Sequence, residues 1–170
     1  MLASDRKPCP VCQALNDAAA PECVYCGIPF GNVTSGTVPA KRQPGGVTRN
    51  LPQEMEQEFP ENGVAIFLTN YERPFDTCLE DDFIIGRKTD EAQGRMVDLS
   101  AFHAFNLGIS RQHVRIQRVG NGYQITDLNS TNGTWLNGER LLPNQTVRLP
   151  SAAQLRLGKM RLFIVARVKN

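Results

Sequence analysis

The sequence has few of the residues on which enzymes and nucleic-acid-binding proteins usually depend. Two of its 170 residues are histidines, and its net charge of +2 is too small to indicate a polyanionic partner. It shows no paired carboxylates with supporting acid–base partners and no Walker-type phosphate loop, so it does not predict an enzyme. No apolar run approaches the roughly 18 residues of a membrane span, and the N-terminus lacks the apolar core of a secretory signal. These absences favour a cytoplasmic protein that is not an enzyme and has no membrane partner.

Cysteine is scarce after the first 30 residues, which hold four of the five cysteines. Residues 31–62 are rich in glycine, proline, threonine and glutamine and have few large apolar side chains, so they predict a disordered linker. From residue 63 onward, short apolar runs alternate with glycine, asparagine and proline. We therefore expect a small module over 1–30, a flexible linker over 31–62 and a domain over 63–170.

Two Cys-x-x-Cys pairs in the N-terminal module are spaced for metal binding. Cys9 and Cys12 form the first pair, and Cys23 and Cys26 form the second after a gap of ten residues. Each pair can bind one ion from a tight turn, and four thiolates complete the tetrahedral set that zinc prefers. The alternatives are redox dithiols or disulfides, but cytoplasmic cysteines are more often metal ligands. The spacing predicts one structural zinc ion in a four-cysteine zinc ribbon.

A module of this size has too small a core to fold unaided, so the metal must hold it together. Four thiolates leave the zinc no open position for catalysis. The charged residues of the module nearly cancel, which favours a structural or protein-docking role over nucleic-acid binding. Because a linker separates the module from the domain, we expect the two to unfold independently. The fifth cysteine, Cys78, lies in an apparent strand and is expected to be a small buried hydrophobic residue.

The C-terminal domain has the pattern of an all-β protein. Seven or more short runs separated by turn residues imply a β-sandwich of about 105 residues. The last run, residues 160–168, alternates between an apolar face and a face that carries arginines. Asn137-Gly138 lies between two such runs and predicts a two-residue hairpin of type I′.

Three polar motifs lie at the ends of predicted strands. They are Gly86-Arg87, Ser110-Arg111-Gln112-His113 and Ser130-Thr131-Asn132-Gly133-Thr134. In this order, and followed by Trp-Leu-Asn-Gly, they resemble the forkhead-associated (FHA) domain family over about residues 63–168. The resemblance implies a β-sandwich of about eleven strands whose loops at one end bind phosphothreonine peptides.

The resemblance also implies roles for individual residues. Arg87 matches the arginine that binds phosphate and peptide backbone, and Ser110 matches the serine that hydrogen-bonds the phosphate. Thr131 matches a second contact near the phosphate, and Asn132 matches the asparagine that holds the peptide backbone. Arg111 matches a position whose role varies between family members. The positions that shape the loops are matched by Gly86, His113 and Gly133.

The chemistry of phosphate supports these roles independently. A phosphate ester carries about −1.5 to −2 charges near neutral pH and has three acceptor oxygens. It therefore needs fixed donors, and arginine offers a planar fork of them. Each residue also has a simpler interpretation. Arg87 could be a solvated strand-end charge, Ser110 could cap a turn, and the Thr131-Asn132 pair could only turn the chain.

The interval between Gly86 and Ser110 is longer than in many FHA domains and is unusually apolar. Its large apolar side chains are Leu99, Phe102, Phe105, Leu107 and Ile109. This segment could pack back on the sandwich, or it could flank the phosphate site and shape peptide selectivity. Of the two, we expect packing. His103 lies in the same segment and has no partner that the sequence identifies.

Together these patterns predict an adaptor that brings a phosphorylated partner from a Ser/Thr kinase pathway to another protein. Residues 63–170 contain 14 basic and 10 acidic residues, a balance that favours an anionic ligand. One alternative is a nucleic-acid-binding regulator whose zinc ribbon binds DNA or RNA, with the FHA domain as its regulatory input. Another is an FHA fold that binds an unphosphorylated partner through a different face. A phosphorylated linker threonine (Thr34, Thr37 or Thr48) could also reach the chain's own site.

Overall fold

A computed structural model of the chain describes residues 6–9, 14–25, 28, 30, 61–68, 74–88, 90 and 94–169. All but the last two residues of the predicted linker lie outside this part of the chain. Within it, no helix has the length and apolar composition that crossing a bilayer requires.

Nearly all the regular structure is β. The strands are β1 (Arg6–Pro8), β2 (Leu15–Asp17), β3 (Gly63–Leu68), β4 (Asp76–Cys78), β5 (Asp82–Gly86), β6 (Arg95–Asp98), β7 (Val114–Val119), β8 (Gly122–Asp127), β9 (Thr134–Leu136), β10 (Glu139–Arg140), β11 (Thr146–Leu149), β12 (Ala152–Leu157) and β13 (Met160–Arg167). The 3-10 turn Ser100–Phe102 follows β6.

Two sheets pack face to face. One has six strands in the order β10-β9-β12-β13-β3-β4, and the other has five in the order β11-β8-β7-β5-β6. Neighbouring strands are antiparallel, except that β5 and β6 run parallel. The described part of the sandwich thus contains eleven strands, which confirms the predicted all-β architecture.

Strand β13 shows how the alternation in the sequence builds the core. Met160, Leu162 and Ile164 are buried, as the period of two predicts. Phe83 and Ile116 of the five-stranded sheet are buried in the same cluster. Burying one such side chain stabilises the fold by about 1.5–3 kcal/mol, so this layer holds the two sheets together.

Two local predictions are also confirmed. Asn137 and Gly138 have φ angles of +50° and +89°, and they join β9 to β10 in the expected hairpin. Cys78 is fully buried, and its burial together with the charge of Asp76 raises the pKa of the thiol to about 12. A thiol held in the protonated form is a poor nucleophile, so Cys78 is a packing residue.

The described part of the N-terminal module contains a short hairpin and two turns of the same kind. Strand β1 pairs with β2, and the Cys9 N–H donates to the carbonyl of Ala14 at 2.9 Å. In the second turn, the Cys23 N–H donates to the carbonyl of Ile28 at 2.8 Å. In both turns the cysteine N–H therefore bonds to the residue five positions later.

The module also contacts the sandwich. The Arg161 N–H donates to the carbonyl of Tyr25 at 3.2 Å, and the Tyr25 ring lies against the ring of His103. The buried cysteines Cys9 and Cys23 belong to the same apolar cluster as the core of the sandwich. The sequence did not predict this contact between the module and the sandwich, since it identified no partner for His103.

Candidate functional site

The loops that carry the three polar motifs meet at one edge of the five-stranded sheet. Strand β5 ends at Gly86, β7 begins at Val114, and β8 ends at Asp127. Since β7 lies antiparallel between β5 and β8, these three points share one edge. The topology thereby brings together segments that are far apart in the sequence.

Arg87 is anchored by its backbone and by one side-chain nitrogen. Its N–H donates to the carbonyl of Ser110 at 3.1 Å, and its Nε–H donates to the carbonyl of Ile109 at 2.8 Å. The guanidinium carbon also lies 5.2 Å from the centroid of the Phe105 ring. Within the described residues, the two Nη groups have no hydrogen-bond acceptor. The fixed guanidinium can therefore donate to an anion.

Ser110 links this arginine loop to the loop after β8. Its hydroxyl oxygen accepts a hydrogen bond from the Thr131 N–H at 3.1 Å. Because the oxygen acts as the acceptor in that contact, the hydroxyl proton can be donated elsewhere. Ser110 therefore holds the second loop and also offers a donor beside Arg87.

Asn132 is exposed and held in place by one end of its amide. Its Nδ2 donates to the carbonyl of Gly108 at 2.8 Å, which leaves Oδ1 able to accept a further hydrogen bond. Thr131 is exposed beside it. The side chain of Arg111 is exposed and makes no contact that would fix it within the described residues.

His113 connects two of the loops from a fully buried position. Its Nδ1 accepts a hydrogen bond from the Ser110 N–H at 3.0 Å, so Nε2 carries the proton and donates to the carbonyl of Gly133 at 3.1 Å. Burial lowers the pKa of His113, while the Gly133 carbonyl and the charge of Asp127 oppose that shift. The imidazole is therefore neutral, with one defined tautomer.

Asp127 is a further organising residue, which the sequence did not reveal. It is buried at the end of β8 and accepts hydrogen bonds from the Ser130 N–H at 3.0 Å, the Ser130 hydroxyl at 2.6 Å and the Thr134 hydroxyl at 2.6 Å. Burial raises the pKa of Asp127, but these hydrogen bonds outweigh the effect and hold the pKa below its usual range. An Asp followed three residues later by Ser is the local signal of such a turn.

Glycine is required at two of the positions that the resemblance assigned to loop shape. A Cβ at Gly86 would lie 2.1 Å from the carbonyl oxygen of Arg111, which leaves no room for any side chain. Gly133 has a φ of +84°, and a Cβ there would lie 3.1 Å from the Trp135 ring. Both glycines allow the loops to approach each other closely.

The apolar segment before Ser110 both packs on the sandwich and flanks the site. Leu99, Leu107 and Ile109 are buried, as expected. Phe105 differs, because 76% of its surface is exposed and its ring lies beside Arg87. The carbonyls of the same segment also hold the Arg87 and Asn132 side chains.

The predicted zinc ligands are described only in part. Cys9 and Cys23 are buried and begin the two matching turns of the N-terminal module. Cys12 and Cys26 lie outside the described residues. Two buried thiols at the starts of equivalent turns fit the knuckles from which a tetrahedral four-thiolate site is built.

Residues 83–158 match the family model of the FHA domain, and this range contains all the candidate site residues from Gly86 to Gly133. An oxoglutarate dehydrogenase inhibitor from Corynebacterium jeikeium is 32% identical over 83 residues, which cover 49% of this chain and 54% of that protein. An FHA domain-containing protein of Arabidopsis thaliana is 35% identical over 72 residues, which cover 42% of this chain and 19% of that protein. This chain therefore spans about half the length of the first relative and a fifth of the second.

Solved structures are also similar to part of this chain. One comes from a structural and functional analysis of phosphothreonine-dependent FHA domain interactions. It aligns with a TM-score of 0.45 and 29% identity, over 64% of this chain and 99% of that chain. Another is the FhaA FHA domain in complex with the intracellular domain of Rv3910, with a TM-score of 0.43 and 32% identity over 59% of this chain and 98% of that chain.

Proposed function

From the match of residues 83–158 to the FHA domain, we propose that the protein is a phosphothreonine-binding adaptor in Ser/Thr kinase signalling. An FHA domain is a binding module and not a catalytic one, which supports a protein that is not an enzyme. The observation that carries the proposal is the arrangement of Arg87 and Ser110. Both are fixed by hydrogen bonds to neighbouring loops, and both retain donors that have no acceptor among the described residues.

The phosphate would be bound by these two donor groups. Arg87 would supply a charge-assisted pair of N–H groups, and Ser110 would supply its hydroxyl proton. Thr131 would add a contact from the adjacent loop, and Asn132 would bind the peptide backbone through Oδ1. Arg111 is exposed near the same edge and would contribute long-range attraction to the dianion.

A phosphorylated threonine of a partner protein would be the ligand. The preference for threonine over serine follows from the FHA resemblance and would require a small apolar contact for the threonine methyl group. A phosphorylated threonine of the chain's own linker would compete with that partner, because tethering gives an effective concentration of about millimolar.

The N-terminal module would be held by one structural zinc ion bound to Cys9, Cys12, Cys23 and Cys26. Zinc supplies a closed four-thiolate centre without reactivity, so its role would be to stabilise the fold. The two equivalent turns that begin at Cys9 and Cys23 support this proposal. The folded module would then serve as the docking or structural part of the adaptor.

Calorimetry on the full chain tests the proposed ligand. Three peptides of one sequence would carry phosphothreonine, phosphoserine or unmodified threonine, and we expect the phosphothreonine peptide to bind most tightly. Arg87→Ala removes charge-assisted hydrogen bonds and should weaken binding by about 10- to 100-fold for each lost contact. Arg148→Ala is the matched control, because Arg148 is an exposed arginine on β11. Unchanged affinity of Arg87→Ala, or equal affinity for phosphorylated and unmodified peptides, would show that the phosphate site is not here.

A further inference from the structure

The outer face of the six-stranded sheet carries a small apolar patch. Ala65 and Phe67 of β3 and Phe163 and Val165 of β13 form a cluster that is separate from the core between the two sheets. Ala65 lies directly opposite Val165, and Phe67 lies directly opposite Phe163. Directly paired residues of antiparallel strands point to the same face, with Cβ atoms about 4.5–5.5 Å apart. We refer to these four residues as the outer patch.

Most of the outer patch is buried, although the second sheet packs on the opposite face. Ala65 and Phe67 are each 2% exposed, and Val165 is 5% exposed. The rings of Phe67 and Phe163 have centroids 6.3 Å apart, but neighbours within one sheet leave the face above them open. Among the described residues, the apolar side chains of this cluster all come from β3 and β13. Burial to this degree therefore requires a covering layer above the sheet.

The chain enters β3 at one end of the outer patch. Gly63 is the first residue of the strand, and Ala65 lies about 7 Å further along it. Just before Gly63, Glu61 forms an ion pair with Lys169, which follows β13. These contacts fix the point at which the described residues resume after the predicted linker. The segment that ends at residue 60 therefore reaches the sandwich beside the patch.

The sequence of that segment has one apolar stripe. Leu51, Met55 and Phe59 are spaced i, i+4 and i+8, which is the spacing of one face of a helix. The positions between them carry polar or acidic side chains, namely Gln53, Glu54, Glu56, Gln57 and Glu58. Pro52 and Pro60 stand at the two ends, where proline favours the start of a helix and stops its continuation. Along a helix the stripe would measure about 12 Å, enough to cross two neighbouring strands.

We propose that residues 51–59 cover the outer patch, with Leu51, Met55 and Phe59 facing β3 and β13. An isolated helix of this length is marginal in water, so the order of the segment would depend on the patch. The patch would in turn be shielded from other molecules, for which an exposed apolar surface is a contact site. The folded domain would then begin near residue 51 rather than 63, and the linker would be shortened to residues 31–50.

Hydrogen exchange on the full chain, without peptide, tests the proposal. The amides of residues 51–59 should exchange about tenfold or more slowly than those of residues 36–48. The double variant Met55→Ser/Phe59→Ser should remove this protection and lower the melting temperature, because it deletes the apolar stripe. Gln53→Ser/Gln57→Ser is the matched control, since it makes two changes between the stripe positions and should retain the protection. The amides of β7 and β8 report in the same experiment whether the sandwich remains folded.

A substitution on the sheet tests the same contact from the other side. Phe163→Glu places a negative charge on the patch, and it should release the acidic segment and speed the exchange of residues 51–59. Gln124→Glu makes a similar change on β8 of the other sheet and should not. Unprotected amides over residues 51–59 in the parent chain would overturn the proposal, and a dimer in sedimentation would then assign the patch to a second copy. Equal loss of protection in the serine variant and its glutamine control would also overturn it, because the protection would not come from the stripe.

Discussion

The ring of Tyr25 lies edge-on against the ring of His103, with centroids 5.3 Å apart and planes inclined at 82°. This contact joins the N-terminal module to the apolar segment that precedes Ser110. The same segment supplies the carbonyls of Gly108 and Ile109, which hold the side chains of the candidate ligand-binding residues. The module therefore rests on the segment that positions the site.

A double-mutant cycle measures this connection. Tyr25→Ala removes the ring on one side, and His103→Asn removes it on the other while tolerating the left-handed backbone at φ +58°. We expect a coupling free energy of about 0.5–1.5 kcal/mol between the two substitutions, by analogy with aromatic pairs. The measurement is urea unfolding of the two single variants, the double variant and the parent chain. Strictly additive effects would contradict a direct stabilising contact.

Metal removal tests whether the N-terminal module depends on zinc for its folding. We expect one zinc ion per chain in protein prepared under reducing conditions without chelator, and structural zinc in small domains stabilises by roughly 10–16 kcal/mol. A chelator should unfold the module and leave the sandwich folded, but with a lower melting temperature because the Tyr25–His103 contact is lost. The measurements are metal analysis and thermal unfolding with and without chelator. Absence of bound zinc would rule out the metal site.

Local features of the fold could be predicted from the sequence because they depend on neighbouring residues alone. The alternation over residues 160–167 predicted the buried face of β13. Asn137-Gly138 predicted the hairpin between β9 and β10. Both follow from the period of a strand and from the φ angles that particular residues tolerate. The three polar motifs could likewise be located, since each lies where a strand begins or ends.

Features that depend on strand order could not be predicted from the sequence. Trp135 and Arg156 are distant in the sequence, and they meet because β9 pairs with β12 in a specific register. A sequence pattern fixes which residues alternate but not which strand lies beside which. The apolar segment before Ser110 shows a similar limit. It has no strand period, so Phe105 could not be distinguished from its buried neighbours.

A substitution at Gly86 should damage the site through sterics alone. In Gly86→Ala, the new methyl group would collide with the carbonyl oxygens of Arg111 and Ser110, at 2.1 and 2.9 Å. We expect a loss of stability of about 1–3 kcal/mol, as for other overpacked positions, together with weaker peptide binding. Gly122→Ala is the matched control, because the nearest atom to its Cβ would be 3.9 Å away. Similar melting temperatures for the two variants would show that the loops can separate without cost.

Substitutions at Ser110 and Thr131 can show which of the two residues makes the main contact with the phosphate. The Ser110 hydroxyl accepts from the backbone N–H of Thr131, so Ser110→Ala removes both this link and the proposed donor to phosphate. We expect phosphopeptide affinity to fall by about tenfold or more. Thr131→Val keeps the backbone N–H and should have a smaller effect. Calorimetry decides the order, and a larger loss for Thr131→Val would transfer the main phosphate contact to that residue.

His113 should make the stability of the fold depend on pH. The pKa of His113 is lowered by burial, so the folded state binds fewer protons than the unfolded chain, in which the pKa is about 6.5. Stability is therefore fully present above about pH 6.5 and is lost as the pH falls from there towards the lower folded pKa. The physical reason is that Nδ1 must accept the Ser110 N–H, and a proton on Nδ1 would abolish that bond.

Urea unfolding between pH 7.5 and pH 5.5, without peptide, measures this dependence free of the second ionisation of phosphate near pH 6. One titrating group limits the slope to about 1.4 kcal/mol per pH unit. His113→Asn should lower stability throughout and flatten the slope, since the titrating group is gone. His103→Asn, which replaces the second of the two histidines, is the matched control for the loss of a histidine. An unchanged slope in His113→Asn would show that the buried imidazole does not control acid stability.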